Sequence, residues 1–275
     1  NASPATVSRG GVVYIAEDDL TWEQLVESDL ARRHPATAEL LRPLFARFVQ
    51  KLLDFVWAEC VLCVDCVAIG LVESLLALLS AMLSPAEHAN ALLDAARVER
   101  VFLYCLIWSI GGVVEQKERP KVDLHLRTAS DTFPKLKSSE TVFDYRLTSN
   151  AQTWETWSTF VPPFKAPAKD MTEALSSLFV PTADSTRTQL LLDLYVSRGR
   201  PAMLVGARGV GKSTDMAQML HRQDATIITT RMLAITSSST PFSLQQKIEG
   251  MLEKRQGRTF GPLGTKQLVL SIDDF

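Results

Sequence analysis

Residues Gly206 to Ser213 read Gly-Ala-Arg-Gly-Val-Gly-Lys-Ser, a full match to the phosphate-binding loop G-x-x-x-x-G-K-[ST]. This motif restricts the fold more than any other feature, because the loop works only between a buried strand and the start of a helix. Ala202-Met203-Leu204-Val205 upstream reads as that strand, and Thr214 to Leu220 downstream reads as that helix. In such a loop successive backbone N–H groups point at an anion, and the helix N-terminus adds about half a positive charge. Glycines let the backbone approach the phosphates without a side-chain clash. Lys212 is placed to reach β- and γ-phosphates, and the Ser213 hydroxyl to hold Mg²⁺. The candidate nucleotide-binding residues are therefore Gly206, Ala207, Arg208, Gly209, Val210, Gly211, Lys212, Ser213 and Thr214.

A second element lies near the end of the chain. Gln267 to Ile272 is a mostly apolar run followed by Asp273-Asp274. Acids at the carboxyl end of a buried strand suit a Walker B element, whose Asp, here Asp273, orients Mg²⁺ or its water shell. The intervening stretch of about 60 residues has room for a helix and a strand, as a βαβ crossover requires.

Composition excludes some partners. The chain has 275 residues, 46% hydrophobic and 22% charged, with a net charge of −2. That is ordinary globular material with length for about two domains. A pI near 6.1 offers no basic surface for non-specific nucleic-acid binding. The most apolar stretch, Cys60 to Leu83, is broken by Asp65 and Glu73, leaving charge-free runs too short for a membrane span of about 20 residues. Neither nucleic acid nor membrane is expected as a partner. No signal peptide is visible, residue 1 is Asn, and Phe275 directly follows the acidic pair. The chain is expected to be a fragment.

Cys60, Cys63 and Cys66 form C-x-x-C-x-x-C, a spacing shared with zinc and iron–sulfur sites. Ligating cysteines usually sit on tight turns, whereas these lie in a helix-length apolar run without nearby Gly or Pro. They are expected to be core residues of a helix, without metal. With Cys105 the only other cysteine, there is no disulfide framework, which suits a reducing intracellular compartment.

Val12 to Ile15 is strand-like. Helices are expected over Glu39–Trp57, Val61–Leu83 and Glu87–Ile110, the last stopped by Gly111-Gly112 as a C-terminal cap. In the first, Leu40, Leu44, Phe48, Leu52 and Val56, beside Leu41, Phe45, Val49 and Leu53, make a wide amphipathic stripe. Residues 115–178 read as an irregular connector pinned by aromatics at Phe143, Tyr145, Trp154, Trp157, Phe160 and Phe164. From Phe179 an α/β pattern begins: a short strand, a helix near Arg187–Ser197, a strand over Ala225–Thr230, and a helix over Phe242–Arg255.

At this point the sequence resembles one family, the dynein heavy chains, AAA+ motors of microtubules. Ser3-Pro4-Ala5-Thr6-Val7-Ser8-Arg9 followed by Gly11-Val-Val-Tyr14 is similar to a segment late in that family's second AAA+ module. Phe102 to Gly112 resembles the helix closing that module's small domain. Val142-Phe143-Asp144-Tyr145 with Trp154 and Trp157 resembles the connector to the third module. Val180-Pro181-Thr182 with Thr186-Arg187 resembles that module's entry. Glu253-Lys254-Arg255 and Phe260-Gly261-Pro262 resemble the stretch before its Walker B, Ile272-Asp273-Asp274.

The resemblance implies an α/β P-loop NTPase (AAA+) preceded by an all-α small (lid) domain. Its boundaries would be 1–19 for the end of the second large subdomain, 20–115 for the lid, 116–178 for the connector and 179–275 for the first half of the third P-loop domain. It implies ATP and Mg²⁺ as cofactors and, for the whole protein, a minus-end-directed microtubule motor. Partners would be the microtubule, through parts not on this chain, other dynein chains and adjacent AAA+ modules of the same heavy chain. Asp274 stands where most AAA+ proteins carry the Glu that polarises the attacking water and is the weaker candidate for that role; the Asp-Asp pairing is common in axonemal members, which implies a cytoskeletal location in the axoneme of a cilium or flagellum. Arg9 matches an arginine finger aimed at a neighbouring module's nucleotide. By itself the chain is expected to bind ATP without turning it over. Two positions depart from the family pattern: Gly10 replaces a usual Cys, and Phe275 a usual aliphatic residue. The alternatives are another AAA+ remodelling ATPase and a regulatory module that holds nucleotide without hydrolysis.

Overall fold

A computed structural model describes residues 20–83, 94–148, 151, 153–164, 179–262, 264 and 266–273. The chain divides into two compact units, Asn1–Phe143 and Asp144–Phe275. The strand-like run at 12–15 lies outside the described residues.

The first unit is helical: α1 (Trp22–Leu30), α2 (Pro35–Glu59), α3 (Ala68–Met82), α4 (Ala95–Ser109) and α5 (Arg119–Ala129). Helix α4 is its centre. Every residue from Val101 to Gly111 is buried, as a helix apolar on all sides requires. Asp94 caps its start by accepting a hydrogen bond from the Ala96 N–H at 3.1 Å. Helix α2 lays its predicted stripe against α4, burying Leu41, Phe45, Phe48, Val49, Leu52, Leu53 and Val56. Phe102 sits between Phe45, edge-on at 5.0 Å, and Phe48 at 6.1 Å. Arg33, just past α1, donates to Ser80 Oγ at 2.8 Å and to the Leu76 carbonyl at 3.4 Å, placing a cation at the C-terminal end of α3.

Three sequence expectations fail here. The helix predicted from Val61 begins only at Ala68. Residues 61–63 instead pair with 113–115: Cys63 N–H donates to the Val113 carbonyl at 2.8 Å and Glu115 N–H to the Val61 carbonyl at 3.0 Å. Val61, Val64 and Val67 are β-branched and favour this extended path. The cysteine triplet consequently leaves the core: Cys63 is exposed, Cys60 and Cys66 are half-buried, and only Cys105 is buried. Gly111-Gly112 is not a left-handed cap, since neither has positive φ and the chain continues into a 3-10 turn over Gly111–Val113. Gly111 is needed for close approach, because a Cβ there would lie 3.2 Å from Phe143 Cζ.

The stretch expected to be an irregular connector holds helix α5 as well. Asp123 on α5 is buried and accepts from Arg127 at 2.7 and 2.9 Å and from the Val142 N–H at 2.8 Å. His125 stacks on Phe55 of α2 at 4.2 Å. Burial, and then the charge of Lys51, hold its imidazole below the usual 6.5. A group with a lowered folded pKa costs stability as the unfolded state takes up a proton that the folded state refuses, and the full loss remains below the lowered value. Stability of this unit should therefore fall as pH drops from 6.5 toward the lowered value, with no His125 contribution above 6.5. Urea midpoints at pH 7.5 and 5.0 check this: the wild-type drop should exceed that of His125→Phe, and equal drops would refute it.

The second unit begins with a short hairpin, β1 (Tyr145–Leu147) antiparallel to β2 (Trp154–Thr156). Arg146 reaches over the Phe160 ring at 4.2 Å and the Trp157 ring at 5.7 Å, so these aromatics pack as expected. Phe179 to Thr182 forms no strand, and helix α6 (Ala183–Val196) starts instead with a Thr182/Ser185 capping box. Helix α7 (Lys212–Arg222) follows. Strands β3 (Ile228–Ala234) and β6 (Gln267–Asp273) pair in parallel, Ile228 opposite Gln267 and Ala234 opposite Asp273. Between them lie helix α8 (Pro241–Glu249) and the hairpin β4 (Leu252–Lys254) and β5 (Phe260–Pro262). The helix predicted to run on to Arg255 stops at Glu249; its last residues turn back as β4, and Gly257 supplies the left-handed turn at φ 64°.

Candidate nucleotide-phosphate site

The predicted loop sits at the start of α7. Gly211 is the residue before the helix, with φ 92°, and Gly209 has φ 77°. An L side chain is strained at both, so glycine is required for the loop's shape. The whole loop from Gly206 to Val210 is exposed. Lys212 curls back over it, donating to the carbonyls of Gly206 at 2.8 Å and Ala207 at 2.7 Å. Ser213 and Thr214 lie exposed in the first turn of the helix. Asp215 in the same turn is partly buried; burial, and then the charge of Asp184 on α6, push its carboxyl up from the usual range. Sequence reading passed over Asp215, although its place three residues after Lys212 was the available signal.

Connectivity fixes where this loop lies on the sheet. Helix α7 packs on β3 and β6 and ends five residues before β3 begins. Its C-terminus is thus near the amino end of β3 and its N-terminus near the carboxyl ends of both strands. Asp273 ends β6 at that same edge. Loop and acid are therefore carried to one rim, the usual ligand rim of a parallel α/β sheet. Asp274 and Arg9 lie outside the described residues.

One expectation about the rim is not met. Ala202–Val205 forms no strand, and Met203 and Val205 are 66% and 53% exposed. Strands β3 and β6 bond to each other, and among the described residues neither pairs with 202–205. Only Leu204 packs inward, against the cluster of Leu192, Met219 and Leu220, beside Val269 of β6.

The geometry fits a polyphosphate: two left-handed glycines, an exposed amide-rich loop, a helix N-terminus and a lysine folded into the loop. A separate open cavity of about 400 Å³ lies at the opposite end, lined by Asp193, Val196, Ser197, Arg222, Gln223, Ile228 and Gln267. Arg222 pairs with Asp193 at 3.2 Å there, and burial pushes the Asp193 carboxyl up. This cavity is away from the phosphate loop. Among the described residues no three His, Cys, Asp or Glu side chains are grouped to hold a metal ion, and no helix is long and apolar enough to cross a membrane.

Comparison with known proteins covers both units. Residues 41–159 match the family description "Dynein heavy chain AAA lid domain", and residues 168–275 match "P-loop containing dynein motor region". The chain is 37% identical over its full length to the dynein gamma chain of the flagellar outer arm from Chlamydomonas reinhardtii. It is 31% identical, again over its full length, to dynein axonemal heavy chain 5 of Mus musculus, and 32% identical over 99% of its length to the ciliary dynein beta chain of Heliocidaris crassispina. It spans about 6% of the length of each of these relatives.

Proposed function

This chain belongs to the dynein heavy-chain family, and from that premise we propose that it forms the ATP-binding part of a motor, with the lid of one AAA+ module leading into the P-loop half of the next. The first module would be the second of the ring and the other the third, with residues 1–19 and 20–115 on one side of the connector 116–178 and 179–275 on the other. The observation that carries the proposal is the complete phosphate loop, shaped by Gly209 and Gly211 and capped by Lys212, within an α/β P-loop fold. In this reading loop amides and Lys212 bind the phosphates of ATP. Ser213 and Asp273 would supply the hard oxygen ligands Mg²⁺ prefers, and the bound ion would neutralise phosphate charge. Asp274 orients the attacking water, and Arg9 serves a neighbouring module's nucleotide. The whole protein is a minus-end-directed microtubule motor working beside other dynein chains. Relatives named for flagellar, axonemal and ciliary dyneins support a place in the axoneme.

The test is Mg-ATP binding by the chain. Nucleotide at a hundred times its dissociation constant should raise stability by about 2.7 kcal/mol, read as a thermal shift. No shift at millimolar Mg-ATP would reject the proposal. A second reading, ATP held without turnover, is favoured by Asp274, whose carboxylate is one methylene shorter than that of Glu. Single-turnover phosphate release separates the two: release at ordinary enzyme rates, abolished by Asp274→Ala, would reject the holding role.

A further inference from the structure

The phosphate loop carries two cations in different states. Lys212 is committed within the loop, its ammonium held by the Gly206 and Ala207 carbonyls. Arg208 is exposed and makes no hydrogen bond or ion pair among the described residues. It stands between Ala207 and Gly209, and a Cβ added at Gly209 would meet nothing within 4 Å, so space surrounds the loop's apex. In such loops the lysine reaches the β- and γ-phosphates. Its ammonium already lies 2.7 Å from the Ala207 carbonyl, and Arg208 is the next residue. Arg208 thus follows directly on the carbonyl that holds the lysine ammonium, at the part of the loop where that lysine would meet a phosphate chain.

We propose that Arg208 is a specificity-determining residue that captures the terminal phosphate of an incoming nucleoside triphosphate and makes the site prefer triphosphate over diphosphate. The inference rests on the nucleotide-binding reading and deepens it. Before nucleotide arrives, Arg208 is the loop cation available to an anion, because Lys212 is already engaged. A free cation at the mouth steers a polyanion and speeds its encounter in a salt-dependent way. Once the nucleotide is seated, the planar guanidinium can make two parallel bonds to one phosphate, a geometry an ammonium cannot copy. A diphosphate has no group at that outer position, so the contact is gained by the triphosphate alone. Arg208 is exposed, so its replacement removes no buried side chain.

The experiment measures binding of Mg-ATP and Mg-ADP to the full chain by calorimetry and stopped flow, for wild type, Arg208→Gln and Arg208→Lys. Arg208→Gln should weaken Mg-ATP about tenfold and leave Mg-ADP within about twofold, the size expected of one charge-assisted contact. Its association rate for Mg-ATP should fall and lose part of its salt dependence. Arg208→Lys should restore the salt dependence and only part of the triphosphate preference. If wild type and Arg208→Gln bind both nucleotides equally well, the role of Arg208 is refuted while nucleotide binding stands. Equal weakening of Mg-ATP and Mg-ADP also overturns it, by making Arg208 a general phosphate contact. Failure of the wild type to bind either nucleotide overturns both readings.

Discussion

Replacing Phe102 by Ala should destabilise the helical unit by about 3–5 kcal/mol. Phe102 is fully buried on α4, in the part of that helix buried on all sides, and its ring touches two other rings on α2. Truncation removes the transfer free energy of the ring and leaves a cavity that Phe45 and Phe48 cannot both fill without leaving their rotamers. It also removes an edge-to-face pair worth about 0.5–1.5 kcal/mol beyond burial. A domain's whole stability is about 5–15 kcal/mol, so the variant should sit close to unfolding at 37 °C. Leu124, 60% exposed on α5, provides the control: Leu124→Ala should change stability by no more than about 0.5 kcal/mol. Urea unfolding followed by far-ultraviolet circular dichroism measures both. A loss below about 1 kcal/mol for Phe102→Ala would show that α4 is not the centre of the unit.

Lys212→Ala should weaken Mg-ATP by about 1.5–3 kcal/mol, roughly ten- to a hundredfold, the range for a lost charged hydrogen bond. The loop should also change before any nucleotide is added. Lys212 bridges the Gly206 and Ala207 carbonyls, so its removal frees the upstream limb of the loop. Amide exchange across residues 206–211 should quicken in the variant while the core of α7 stays protected. Unfolding of the second unit should barely respond, because the loop is exposed and contributes little buried surface. Calorimetry gives the affinity and hydrogen exchange the loop. Unchanged affinity would remove Lys212 from the site.

Much of this was legible because two signals are local. The phosphate loop is written in consecutive residues, and its positive φ angles fall on its own glycines. The stripe of α2 repeats every three to four residues, so the buried set from Leu41 to Val56 could be read without knowing its partner. What could not be read was decided by distant partners. The Val61–Cys63 segment became extended because residues 113–115, some fifty positions later, offered it backbone bonds. Helix α5 was hidden because its main commitments, Asp123 to Val142 and His125 to Phe55, are tertiary. The 202–205 run has strand composition, yet composition supplies no ladder partner. Gly111-Gly112 looked like punctuation and proved to be clearance for Phe143.

The Asp123 clasp gives the molecule a defined way to bear force. Close to the end of the helical unit, the Val142 N–H is moored to a carboxylate that Arg127 also grips. Tension applied along the backbone at that end of the unit loads this mooring. It meets a short charge-assisted bond backed by a buried side chain, with the Phe143 ring wedged edge-on against Trp108 at 5.6 Å beside it. The end of the helical unit is thus held by charge as well as by packing, and pulling it open means breaking the Asp123 contact as well as baring apolar surface.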